Sequence, residues 1–183
     1  MNAQDTRLSA RHCARRCLLG SVALAAATVA SQAQAATATT NLGVSATVAN
    51  SCTITATLPV TFGAYDSVVA NVASPLDAAG AIATTCTSGA SVVITLGQGS
   101  NPSDSSSDAV PLREMAASGG STLRYFLYSD SGRQTVWGNT AGTGKADTGT
   151  GASHELQVYG RVTAGQNVPS GSYSDTVIAT VTF

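Results

Sequence analysis

Short runs in which apolar and polar residues alternate one by one recur from residue 42 to the end of the sequence. Successive side chains of a β-strand point to opposite faces, so a period of two is typical of half-buried strands. The clearest run places Val177, Ala179, Val181 and Phe183 on one parity. Six similar runs begin near residues 42, 52, 82, 92, 123 and 156. Seven or more short strands, with turn-forming residues between them and no convincing amphipathic helix, predict an all-β fold of the β-sandwich class.

The first 35 residues have the three parts of a secretory signal peptide. A polar stretch with four arginines precedes an apolar run over residues 18–30, and Ala33-Gln34-Ala35 supplies a small-x-small cleavage site. The apolar run is too short to span a bilayer. We therefore expect cleavage near Ala35 and export, by general secretion rather than the twin-arginine route that Arg15-Arg16 partly matches.

Charge excludes several classes of partner. Without the leader, five cations face nine acids, a net charge of about −4. A chain this poor in Lys and Arg has no electrostatic footprint for nucleic acid or for an anionic membrane surface. Charged residues make up only 10% of the sequence, which argues against a helical bundle with a Glu/Lys-rich surface.

Two cysteines remain after the leader, Cys52 and Cys86. An even pair in an exported chain predicts a disulfide, because the compartment is oxidising. A metal or redox pair is disfavoured, since His154 is the single histidine beyond the leader.

No catalytic or metal-binding pattern emerges from the other motifs. Residues 142–145 read Gly-Thr-Gly-Lys, but Asn139 and Ala146 occupy positions where a phosphate-binding loop needs Gly and Ser or Thr. Residues 97–108 and 138–153 have the composition of polar surface loops, and the aspartates in the first match no calcium-loop spacing. His154 is expected to be an exposed residue at a strand start. We therefore expect no enzyme activity, no cofactor and no metal.

Arg124 and Arg161 interrupt otherwise apolar strands. Their parity is opposite to that of Leu123 and Val162, so each is expected to face outward, with its stem over a Tyr or Phe.

Ten short motifs follow one another along the sequence from Cys52 to Phe183. The series is Cys52-Thr-Ile, Phe62-Gly-Ala-Tyr65, Gly80-Ala-Ile-Ala-Thr-Thr-Cys86, Gly97-Gln-Gly99, Arg113-Glu-Met115, Leu123-Arg-Tyr-Phe-Leu-Tyr128, Trp137-Gly138, Val158-Tyr-Gly-Arg-Val162, Gly171-Ser-Tyr-Ser-Asp-Thr176 and a terminal Phe183. This order resembles the spore coat protein U domain family, which includes subunits of archaic chaperone–usher (Csu-type) pili.

The resemblance implies an immunoglobulin-like Greek-key sandwich that lacks its last strand. A periplasmic pilus chaperone and then the N-terminal extension of another subunit would supply that strand, in a homo- or hetero-polymer delivered to the cell surface by an outer-membrane usher. The chain would divide into a signal peptide (residues 1–35), an extension or donor strand (36–50) and the sandwich domain (51–183). Leu42, Val44, Ala46 and Val48 would form the apolar stripe of the donor strand. Residues 175–183 are expected to form a core strand that contacts the chaperone through Val177, Ala179, Val181 and Phe183.

Three functions stay open at this point. The resemblance favours a structural pilus subunit that supports adhesion and biofilm formation. A secreted coat protein of spores or the cell surface, acting without polymerisation, is the alternative. An exported carbohydrate-binding module or hydrolase is compatible with a sandwich fold, although no set of residues points to it.

Overall fold

The computed structural model of the protein describes residues 33–183. The leader's charged and apolar parts, including Arg15-Arg16, lie outside the described residues. The described part contains eight strands and no α-helix, so it offers no helix able to cross a membrane.

The chain divides into two units, Met1–Val44 and Ser45–Phe183. In the first, residues 33–44 are exposed and have no regular secondary structure. The second unit contains every strand, and its first strand begins at Cys52. The alternating run over residues 42–48 is therefore not a strand in this structure.

The strands are numbered in chain order: β1 (Cys52–Leu58), β2 (Leu76–Cys86), β3 (Ser91–Leu96), β4 (Arg113–Ala116), β5 (Thr122–Tyr128), β6 (Lys145–Thr148), β7 (Ser153–Val162) and β8 (Ala179–Thr182). They form a five-stranded sheet in the order β1-β2-β7-β5-β4 and a three-stranded sheet in the order β6-β3-β8. All pairings are antiparallel. The all-β sandwich predicted from the alternation is confirmed.

The core lies between the two sheets, where the alternating apolar residues meet. In β5, Leu123, Tyr125 and Leu127 are buried, and in β7 Leu156 and Val158 are buried. Trp137 is fully buried beside them, and its Nε1 donates a 2.8 Å hydrogen bond to the carbonyl of Ile94. Because Ile94 belongs to β3, this hydrogen bond holds the β5–β6 connection against the three-stranded sheet.

The disulfide joins two neighbouring strands at one end of the sandwich. Cys52 lies directly opposite Cys86 in the β1–β2 register, and the two form the predicted bond. Thr182 of β8 pairs with Val93, near the start of β3, and therefore lies toward the same end. We call this the disulfide end.

Several segments differ from the predicted strand pattern. Besides residues 42–48, β4 lies where the alternation predicts no strand, and β2 begins at Leu76 rather than near residue 82. Residues 138–153, predicted as a surface loop, include β6, which pairs with β3 through four residues. The C-terminal strand is shorter than the predicted residues 175–183, because β8 spans only Ala179–Thr182. Asp175 lies outside β8 and makes hydrogen bonds to Ser100 and Tyr125 instead.

Candidate functional site

An open groove lies between the two sheets and is lined by residues of both, with Ala56 and Leu58 of β1 and Ala179 of β8 among them. It has a volume of about 1140 Å³, above the roughly 300–1,000 Å³ typical of small-molecule sites. Its floor is formed by core residues of the five-stranded sheet: Ala81, Ile82, Leu123, Tyr125, Leu127, Val158 and Val162. Its walls include partly buried apolar side chains: Val60, Phe62, Tyr65, Leu76, Met115, Val168, Tyr173, Val177 and Ala179. The site is a mainly apolar channel that reaches the core of the domain.

One wall is a segment that leaves β1 and crosses the inner face of the larger sheet. We call residues 59–65 the crossing segment. It passes over two glycines, and a Cβ atom at Gly160 would lie 2.7 Å from both Val60 and Phe62. A Cβ at Gly80 would lie 2.7 Å from the carbonyl oxygen of Leu58. Two glycines on neighbouring strands therefore make the space through which the wall of the groove runs.

The crossing segment is fixed at its far end by aromatic contacts. Phe62 packs edge-on against Tyr125, with ring centroids 5.9 Å apart. The hydroxyl of Tyr65 donates a 3.0 Å hydrogen bond to the carbonyl of Thr163 and accepts one from the backbone N–H of Gln166. The wall is thus pinned to the end of β7 opposite the disulfide.

The other wall is formed by residues 168–177 and by Ala179, the first residue of β8, which is an edge strand. β8 pairs with β3 on one side, and on its other side no strand of residues 33–183 pairs with it. Such an edge presents backbone N–H and C=O groups that can bind a further strand. An apolar channel beside an open strand edge has the two features needed to bind an extended, alternating peptide: backbone partners and side-chain pockets.

Asp175 organises the groove wall just before β8. Its Oδ1 accepts 2.8 Å hydrogen bonds from the backbone N–H groups of Ser100 and Thr176, and its Oδ2 accepts one from the hydroxyl of Tyr125 at 2.7 Å. Gly99 has φ +85°, and a Cβ there would collide with the Asp175 carboxylate. The carboxylate therefore ties the loop after β3, the groove floor and the segment before β8 to one another.

A buried arginine stabilises the same region. Arg113 of β4 is fully buried, and its guanidinium donates hydrogen bonds of 2.7–2.8 Å to the carbonyls of Leu96, Gly97 and Trp137. Burial lowers the pKa of Arg113 to about 10, although Tyr125 and Asp175 oppose that shift. Arg113 satisfies three carbonyls that would otherwise need partners, two at the end of β3 and one in the β5–β6 connection.

Tyr125 stays neutral for a structural reason. Burial raises its pKa well above 10, and the hydrogen bond to Asp175 raises it further. A neutral phenol can donate to the carboxylate, whereas a phenolate cannot. The groove floor therefore keeps this hydrogen bond at physiological pH.

The predicted C-terminal site residues lie partly in the groove. Val177 and Ala179 line it, and Val181 packs against the core on the same parity. Phe183 follows the end of β8 and is 54% exposed, so it is not a core residue in this structure. In the proposed donor stripe, Leu42, Val44 and Val48 are 83–89% exposed, and Ala46 is also exposed.

The remaining charged candidates lie on the outer surface. Arg124 and Arg161 face outward as predicted, but they pair with the carboxylates of Glu114 and Asp77 rather than lying over aromatic rings. Arg161 donates a hydrogen bond to each carboxylate oxygen of Asp77, and this pairing lowers the pKa of Asp77. His154 is the exposed second residue of β7, and its Nδ1 lies 2.7 Å from Oδ2 of Asp147. Within residues 33–183, no cluster of His, Cys, Asp and Glu could hold a metal ion.

Sequence reasoning missed Arg113, the one charged side chain among the fully buried residues described. Its neighbours in the sequence, Leu112 and Glu114, give no alternation that would separate it from a surface arginine. The available signal was its place in the Arg113-Glu-Met115 motif.

Comparison with known proteins identifies the family. Residues 38–180 match the family described as the Spore Coat Protein U domain. The chain belongs to this family. It is 48% identical over 172 residues to Protein U of Myxococcus xanthus, covering 90% of this chain and 96% of that protein.

A solved structure has a similar fold. The Spore Coat Protein U domain described above superposes with a TM-score of 0.52 on a chain of the CsuC–CsuE complex, a chaperone–tip adhesion subunit pre-assembly complex from archaic chaperone–usher Csu pili of Acinetobacter baumannii. The two are 20% identical, and the match covers 75% of this chain and 40% of the other. At this identity the likeness shows a shared fold.

Proposed function

We propose that the protein is a structural subunit of a surface fibre assembled by a chaperone and an usher, and that subunits join by donor-strand exchange. The observation that carries the proposal is the open apolar groove next to Ala179, where the unpaired edge of β8 begins. No catalytic role is proposed. Surface adhesion and biofilm formation are the roles we assign to such a fibre.

An occupant of the groove would bury apolar side chains of its own against the domain core, as the exposed Leu42, Val44 and Val48 could do. Fully burying a Val or Leu side chain contributes about 1.5–3 kcal/mol relative to leaving it in water. An uncovered groove also leaves a strand edge available for aggregation. A chaperone strand would cover the groove and the edge of β8 in the periplasm, and a strand of another subunit would replace it in the fibre.

The donor we propose is the exposed N-terminal segment of another copy. Leu42, Val44 and Val48 are exposed and share one parity, so in an extended strand they point to the same side. Inserted beside β8, the backbone of this segment would pair with the edge while the stripe fills the channel. The intervening Asn41, Ser45 and Thr47 would face water.

A pair of matched substitutions tests the proposal. Val44→Asp would place an unpaired carboxylate in the groove of the acceptor, which costs several kcal/mol. Thr47→Asp puts the same charge on the outward parity. Wild type and both variants are expressed in the native host, and fibres are detected as ladders that resist denaturing gels without boiling. We expect Thr47→Asp to assemble and Val44→Asp to remain a folded, chaperone-bound subunit.

The alternative is a secreted coat protein that does not polymerise, a role favoured by the 48% identity to Protein U over nearly its whole length. In that case the N-terminal segment would cover the groove of its own chain. Val44→Asp would then prevent the isolated subunit from folding, and the wild-type chain would give no ladder. Ladders from both aspartate variants would show that the donor segment is elsewhere.

A further inference from the structure

A rigid loop at one mouth of the groove exposes valine side chains. We call residues 66–72, between the crossing segment and β2, the valine loop. Val68 and Val69 are 79% and 78% exposed, and Val72 is half exposed. Exposed apolar side chains grouped on one loop are typical of an interaction surface.

The valine loop is held in shape by its own polar groups. The Asp66 carboxylate accepts hydrogen bonds of 2.9–3.0 Å from the backbone N–H groups of Val68 and Val69, and these bonds lower the pKa of Asp66. Asn71 is buried, and its side chain accepts from the N–H of Asp66 and donates to the carbonyl of Ser74. The valines are therefore presented by a preorganised turn, which lowers the entropy lost on binding.

The loop lies at the end of the sandwich opposite the disulfide. Asp66 and Ser67 line the mouth of the groove, and the N–H of Gly165 bonds to the carbonyl of Asn71 just after β7. β8 runs from this mouth toward the disulfide end. A strand that pairs antiparallel with β8 would therefore run the other way, and its C-terminal residues would emerge beside the valine loop.

We propose that the valine loop is the acceptor's contact with the body of the donating subunit, at its disulfide end. This rests on the proposed function. Every strand pair in the domain is antiparallel, and an antiparallel donor is the slightly more stable choice. It also places the mouth of one subunit against the disulfide end of the next, which produces an open head-to-tail fibre.

The linker between the donor strand and the domain of the donating subunit is too short to separate that domain from the acceptor. Beyond Val48, the chain is already fixed at Ser51, whose N–H donates to Thr87 Oγ1 at 3.0 Å and whose carbonyl accepts from the Thr87 N–H at 2.9 Å. Three residues reach at most about 10 Å when fully extended. The turn containing Thr87 and the turn at residues 149–151, which bonds to Cys86 and Gly89, would therefore lie against the acceptor's valine loop.

Photo-crosslinking in assembled fibres tests this contact. Val69 is replaced by p-benzoylphenylalanine in the full chain, fibres are irradiated, and crosslinked peptides are identified by mass spectrometry. We expect crosslinks to residues 49–51, 87–89 or 149–152 of a second copy. The same photoreactive residue at Val110, a half-exposed valine that does not line the groove, should give no such crosslinks.

A second measurement separates the contact from assembly itself. Val68→Ser with Val69→Ser should leave the thermal unfolding of the subunit unchanged, because both side chains are exposed, and should make fibres dissociate in denaturant about tenfold faster. Fibres that form but give Val69 crosslinks to any other surface, or dissociate at the wild-type rate, overturn the joint contact alone. Absence of fibres from the wild-type chain overturns the proposed function and this inference together.

Discussion

The hydroxyl of Tyr125, on the floor of the groove, donates a 2.7 Å hydrogen bond to Oδ2 of Asp175, on its wall. A hydrogen bond to a charged acceptor contributes about 1.5–3 kcal/mol to stability. We expect Tyr125→Phe to lower the free energy of unfolding by about this amount in urea titrations at pH 7.

The same bond predicts a pH dependence. The pKa of Tyr125 is raised in the folded state, so its contribution is complete below the unfolded value of 10.0 and is lost as the pH rises above it. The stability difference between wild type and Tyr125→Phe should therefore shrink above pH 10. A difference that stays constant up to pH 11.5 contradicts this role for the phenol.

The Cys52–Cys86 bond should contribute substantially to stability, because it closes a loop with a sequence separation of 34 residues. Removing a native disulfide from a small exported domain typically costs about 2–5 kcal/mol. We expect Cys52→Ala with Cys86→Ala to lose that much in denaturant unfolding, and the mature wild-type chain to show no free thiol by mass spectrometry. Two free thiols in the mature protein would count against the bond.

Gly160→Ala should displace the crossing segment. The added methyl group would lie 2.7 Å from side-chain atoms of Val60 and Phe62, and overpacking of this kind costs about 1–3 kcal/mol. Gly142→Ala is the matched control, because nothing lies within 4 Å of its added Cβ. Equal melting temperatures for the two variants would show that the wall of the groove is mobile rather than packed.

Deletion of residues 180–183 should abolish accumulation of the subunit in the periplasm. It removes three of the four β8 residues that pair with β3, and with them most of the strand edge that a chaperone would contact. Deletion of Phe183 alone should be tolerated, because Phe183 lies outside β8 and is 54% exposed. Immunoblots of periplasmic extracts compare the yields of the two deletion variants. Equal yields would show that β8 is needed neither for folding nor for chaperone binding.

The alternation of apolar residues was sufficient to predict the strands with one buried face. It located β5 and β7 because aliphatic or aromatic residues that prove to be buried, such as Leu123, Tyr125 and Val158, recur at every second position of these strands. It missed β4 and β6, since each spans four residues and offers too few positions for a period to appear. The even number of cysteines beyond the leader was sufficient to predict the disulfide.

The walls of the groove could not be predicted from local pattern. The crossing segment depends on Gly80 and Gly160, which are distant in the sequence and adjacent only once β2 and β7 pair. Asp175 ends the alternation of the last strand because its carboxylate finds Ser100 and Tyr125, partners that only the tertiary fold brings close. Arg113 is buried for the same kind of reason, since its three carbonyl acceptors come from other parts of the chain.

The position of β3 in its sheet has a consequence for the order in which the domain can form. Both of its neighbours, β6 and β8, come after it in the chain, and β8 follows every other strand. Proteins are synthesised from the N-terminus, and pairings between distant segments form slowly. The smaller sheet therefore cannot close until β8 has been made, and throughout that interval the nascent chain carries the core side chains of the larger sheet without a cover.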